Sequence, residues 1–111
     1  MQFRTFRFVA AVAVLGAVSA TASAATNYVQ GHINNVTFAG DEVLIQVDVG
    51  LPDNCIGTHY GWMRIPPEYK SMNAFVIGLW MRGDASQTLV VVYTEGLAGS
   101  YCRIGQIDPA G

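Results

Sequence analysis

From Glu42 to Val49 the chain alternates with a period of two: Val43, Ile45, Val47 and Val49 share one face, and Glu42, Gln46 and Asp48 the other. This predicts a half-buried strand, with Leu44 as the one apolar residue on the polar side. Upstream, Tyr28 to Phe38 is rich in β-formers, but Asn34-Asn35 shifts the apolar phase from Val29, Gly31 and Ile33 to Val36 and Phe38. A bulge is expected there, and Gly31 should let a side chain or another backbone approach closely. Ala39-Gly40-Asp41 and Gly50-Leu51-Pro52-Asp53-Asn54 read as turns. Thr58 to Ile65 offers a third strand, which Pro66-Pro67 ends because proline donates no hydrogen bond to a ladder.

The periodicity then changes. Pro67 suits a first helical position and Gly83 a C-terminal cap, so a helix is expected from Pro67 to Arg82. At 100° per residue, Tyr69, Met72, Phe75, Val76, Leu79 and Trp80 fall within an arc of about 140°, which predicts the core-facing side. Ile77 and Met81 fall outside that arc, four residues apart beside small Ala74 and Gly78, and they mark a stripe suited to a partner helix. Thr88 to Thr94 and Tyr101 to Ile107 complete the expected elements as a fourth and a fifth strand, with a loop from Glu95 to Ser100 between them.

Residues 1–24 read differently from the rest. Arg4 and Arg7 precede an apolar run from Phe8 to Val18, and Ala22-Ser23-Ala24 supplies the small residues a signal peptidase requires. The run is too short to span about 30 Å of hydrocarbon, no lipoprotein cysteine follows it, and twin arginines are absent. Residues 1–24 are therefore expected to be a signal peptide and 25–111 a single domain, periplasmic or secreted, with no membrane contact after cleavage. Beyond the leader, four basic residues (Arg64, Lys70, Arg82 and Arg103) face eight acidic ones, a net charge of −4. So few scattered cations exclude a phosphate-tracking surface, and nucleic acid is not expected as a partner.

A domain this small buries only about 60% of the surface its unfolded chain exposes, so a covalent staple matters. Cys55 and Cys102 are the only cysteines, and an oxidising compartment predicts a disulfide between them, worth roughly 4 kcal/mol on a chain-entropy argument. His32 and His59 lack the spacing of metal ligands, and neither a metal nor a cofactor is expected.

Three strands, a helix and two strands, with a bulge in the first, give the order β-β-β-α-β-β: a mainly β fold with one helix, expected to be a five-stranded OB-fold Greek-key barrel. The residues carry a matching resemblance: Val29-Gln30-Gly31-His32-Ile33 near the mature start, Cys55 after the second strand, a helix before the Val-rich fourth strand, and Tyr101-Cys102-Arg103-Ile104 leading to Ile107. In these the chain resembles small exported bacterial OB-fold proteins, which include the B subunits of subtilase-cytotoxin-like and pertussis-like toxins. For those toxin subunits the resemblance implies glycan binding and a ring-shaped homo-oligomer with the helix at subunit contacts. No sugar-contacting residue transfers to this chain one for one.

No nucleophile with a base, carboxylate pair, phosphate loop or nucleophile elbow is legible, so the chain is not expected to be an enzyme. The positive signal is aromatic. Tyr60, Trp62 and Arg64 alternate along the expected third strand, and that grouping suits stacking on a sugar ring or anchoring a protein. Periodicity alone leaves open whether Tyr60 and Trp62, or Gly61, Met63 and Ile65, face outward. The expected function is that of a small exported binding protein for a glycan, with a protein-interaction, inhibitory or structural envelope role as the alternative. Ile77 and Met81 are the expected contacts of a homo-oligomer.

Overall fold

The computed structural model describes residues 26–110, and the expected signal peptide, residues 1–24, lies outside that range. Six strands and one helix follow in order: β1 (Tyr28–Gly31), β2 (Ile33–Ala39), β3 (Glu42–Val47), β4 (Met63–Ile65), α1 (Lys70–Arg82), β5 (Val90–Ala98) and β6 (Tyr101–Pro109). They form one sheet in the order β1-β5-β6-β4-β3-β2, antiparallel except where β4 runs parallel to β6. The fold is therefore mainly β with one helix. The sheet has six strands rather than five, and β1 and β2, at its two ends, do not pair with each other.

The extra strand arises because the expected first strand breaks at His32. The His32 N–H donates to Asp48 Oδ1 at 2.8 Å instead of to a ladder, and the Asp48 N–H donates back to the His32 carbonyl at 2.9 Å. His32 Nδ1 and Asp48 Oδ2 lie 3.1 Å apart. Gly31 makes this clasp possible, since a Cβ there would strike Asp48 Oδ1 and crowd Val47 and Val49. The expected bulge is also present, as a register shift between Ile33 and Asn35.

Val29, Ile33, Val43, Ile45, Val47, Met63, Ile65, Val90, Val92 and Ile104 line the inner face, closed on one side by Val76 and Leu79 of α1. Val49 does not join them, because β3 ends at Val47 and the following turn leaves it exposed. α1 begins at Lys70 rather than Pro67, the chain first turning through Pro66–Tyr69 with the Tyr69 N–H on the Pro66 carbonyl. Its C-terminus closes as the sequence predicts: Gly83 is left-handed, and the Gly83 and Asp84 N–H groups donate to the Trp80 and Leu79 carbonyls.

The wheel reading of α1 needs correction at two positions. Trp80, expected on the core, is exposed, whereas Ile77, expected on a free stripe, is half-buried against the core cluster. The core contacts centre on Val76 and Leu79, and the residues flanking that narrow stripe, Phe75 and Ile77, both pack partly buried against the core cluster. Met81, 78% exposed, remains outward as expected.

Cys55 and Cys102 are joined, with a Cα–Cα distance of 5.1 Å, and both are fully buried. Beside them Thr94 is buried with its Oγ1 2.6 Å from Asn54 Oδ1, while Asn54 Nδ2 donates to the Thr94 carbonyl at 3.1 Å. The Asn54 N–H reaches the Thr26 carbonyl, so the start of the described chain, the disulfide loop and β5 share one polar network. No helix among the described residues is long and apolar enough to cross a membrane.

The clasp sets an acid limit. Partial burial pushes the Asp48 carboxyl up, but the backbone N–H and the side chain of His32 outweigh it and hold the group below its ordinary value of 3.8. A carboxyl depressed in the fold adds stability above the unfolded value and loses it as the pH falls through the lower folded one. Denaturant melts between about pH 5 and pH 2 should therefore show a smaller loss of stability for Asp48→Asn than for the wild type. Equal acid slopes would refute the role of the clasp.

Candidate functional site

Met63 and Ile65 are fully buried on the inner face, which places the alternating Arg64 on the outer one. Trp62 immediately precedes β4 in extended conformation and is half-buried on the same alternation. On β6, Cys102 and Ile104 point inward, so Tyr101 and Arg103 also face out. The parallel register sets Arg64 beside Arg103. Trp62, Arg64, Tyr101 and Arg103 thus share one outer surface, of which the sequence identified Trp62 and Arg64.

Tyr60 reaches this surface by another route. The expected strand from Thr58 shortens to Met63–Ile65, because in the loop tied down by the disulfide Asp53–Cys55 forms a 3₁₀ turn and His59–Gly61 a tight turn with left-handed backbone at Tyr60 and Gly61. Tyr60 therefore does not alternate with Trp62 along a strand. It projects from the His59–Gly61 turn and is 84% exposed. Its ring centroid lies 5.4 Å from that of His59, which meets Tyr101 edge-on at 5.8 Å.

The turn is held at every corner. Thr58 Oγ1 accepts the Cys102 N–H at 2.9 Å and donates to the Trp62 carbonyl at 2.6 Å. The His59 N–H donates to the Ser100 carbonyl at 2.9 Å, and Gln46 Nε2 donates to the Tyr60 carbonyl at 2.9 Å. These bonds impose on Tyr60 a φ of 53°, the only positive φ at a non-glycine residue among those described. Left-handed backbone costs a side-chain-bearing residue about 1–2 kcal/mol, and such strain persists where the surroundings over-determine it, often at binding sites.

Away from the aromatic end the surface is ionic. Arg64 Nε lies 3.0 Å from Glu42 Oε2, and Arg103 Nε lies 2.8 Å from Glu95 Oε1. Neither contact is aligned for a hydrogen bond from Nε, so each is a close ion pair. Arg103 Nη2 donates to Tyr69 Oη at 3.1 Å and lies 3.6 Å from Glu68 Oε2. The bond to Tyr69, and after it the charges of Glu95 and Glu68, push the Arg103 guanidinium above its already high value. Gly105 accommodates this arrangement: a Cβ there would sit 2.7 Å from Glu95 Oε2. Glu68 and Tyr69 in turn line a cleft of about 540 Å³ with Met72, Phe75 and Ile107, between α1 and the end of β6.

Sequence reasoning missed Tyr101, His59 and the Arg103 cluster, all of which enter through contacts distant in the chain. The one local signal was Tyr101 and Arg103 flanking Cys102. No group of metal-ligating side chains occurs among the described residues.

If the Tyr60 backbone is strained, Tyr60→Gly should leave stability unchanged or raise it by up to about 1 kcal/mol in urea titration, although it removes a large side chain. A loss of more than about 1 kcal/mol would show that the ring itself supports the fold. No family model, curated protein or solved structure matches the chain.

Proposed function

We propose that the chain is an exported OB-type binding module that recognises a glycan on the outer face of β4 and β6. The fold reading is supported by strand order. β1 and β2 are consecutive in the chain and lie at opposite ends of the pairing order, an arrangement compatible with one strand bent at His32 in a five-stranded Greek-key barrel. The small exported OB-fold group remains the proposed kinship, and a periplasmic or secreted location the proposed setting. The disulfide fits that setting.

The observation that carries the glycan reading is the exposed Tyr60 ring beside His59, which in turn meets Tyr101 at one end of an outer face whose other part is a row of paired carboxylates and guanidinium groups. Flat aromatic faces suit the C–H side of a sugar, and oriented polar groups suit its hydroxyls. Trp62→Ala and Tyr60→Ala should each abolish retention on a glycan array, with the thermal melt of Tyr60→Ala unchanged because its side chain is exposed. Arrays blank for the wild type, together with specific co-purification of an envelope protein, would replace this reading with the protein-interaction one.

Self-association through the helix is a second reading, now carried by Met81 and the exposed Trp80 rather than by Ile77. Sedimentation at micromolar concentration should then show an oligomer that Met81→Glu dissociates. A wild type that sediments as a monomer would eliminate it.

A further inference from the structure

Every guanidinium on the outer face of β4 and β6 is already engaged by carboxylates, and the carboxylates outnumber them. Arg64 faces Glu42, and Arg103 faces Glu95 and Glu68, so two positive charges meet three negative ones. Glu68 and Glu95 keep about half or more of their side-chain surface open, at 62% and 49%, while Arg64 and Arg103 keep 18% and 29%. A ligand that reaches this surface therefore meets acceptor oxygens first and guanidinium groups second.

We infer that this face selects glycans without acidic groups and rejects sialylated, uronate or sulfated ones, an inference that rests on the glycan reading above. To take Arg103, a ligand carboxylate or sulfate would have to displace Glu95, 2.8 Å away, and would then lie beside the displaced acid. Like charges so placed oppose binding. An uncharged hexose instead donates its hydroxyls to the open oxygens of Glu68 and Glu95, which keep their ion pairs while accepting. At the aromatic end of the same face the exposed Tyr60 ring offers the C–H side of another sugar unit a surface without charge. The acidic surplus of residues 25–111, a net charge of −4, adds to the same discrimination at long range.

The test uses the mature, disulfide-bonded protein on pairs of immobilised oligosaccharides that differ only in a terminal sialic acid or a sulfate. The neutral member of each pair should be retained, and its acidic counterpart should bind about tenfold or more weakly at low salt, the gap narrowing as salt is raised. Glu68→Gln with Glu95→Gln should narrow the gap at fixed salt, because it frees Arg103 and removes the surplus acid. Preference of the wild type for the acidic members would overturn this selectivity while leaving glycan recognition standing. A gap that the double variant does not change would likewise overturn the assignment to these carboxylates. Absence of binding to either member would overturn the glycan reading itself, and the selectivity with it.

Discussion

The bond between Cys55 and Cys102 fixes where the long connection between β3 and β4 lies, and most of the outer face follows from that placement. It closes a loop with a sequence separation of 47, so it removes much of the freedom of the unfolded chain. Its local effect is as important. With Cys55 held against β6, Thr58 comes within reach of the Cys102 N–H, and the His59 N–H meets the Ser100 carbonyl. The turn that carries Tyr60 is therefore bonded to β6, a strand reached only after the helix and β5. Asn54, next to the disulfide, meets Thr94 by the same logic. A buried polar pair of this kind is stable only when both partners are in place, and the disulfide keeps them there.

A second constraint acts at the other end of the loop. β3 ends where Asp48 leaves the ladder and turns its carboxylate onto the His32 N–H. The same residue thus ends one strand and bends another. Because Gly31 has no side chain, the carboxylate can lie directly over the chain, and the bend needs no insertion in the sheet. The loop that begins at Asp48 and ends at Trp62 is consequently anchored at its start by the hydrogen bonds between Asp48 and His32, at its middle by a disulfide and at its end by Thr58. Few degrees of freedom are left for Tyr60, which explains how an exposed ring can hold an unfavourable backbone angle.

Much of the frame was legible in the sequence, and the reasons differ between elements. Glu42 to Val47 alternates and is a strand; Asn34-Asn35 breaks phase and is a bulge; Gly83 ends the helix it was expected to end. Each of these depends on neighbours in sequence. The stretch from Thr58 to Gly61 has the composition of a strand and folds as a turn, because its local bonds are joined by others to Cys102, Ser100 and Gln46, which are distant in the chain. β5 runs on to Ala98 where a loop was expected, since the register shifts around Glu95 let it keep pairing with β6 across the acid. The Arg64–Arg103 register, which assembles the ionic half of the outer face, depends on a parallel pairing that periodicity does not encode.

Leu44 shows how the outer face differs from an ordinary solvated one. By alternation it points away from the core, and it is no member of the core cluster, yet it is only 1% exposed. Its cross-strand neighbours are Thr37 on one side and Arg64 on the other. An arginine held by Glu42 keeps its apolar stem in place over such a neighbour, whereas a free arginine would sweep through solvent. The ion pair therefore acts partly through packing: with both side chains still reached by solvent, its direct electrostatic contribution is modest. That gives the carboxylates of this face a structural reason to bind the arginines permanently. It is the same permanence that leaves the open acceptor oxygens, rather than the guanidinium groups, to meet whatever approaches the sheet from outside.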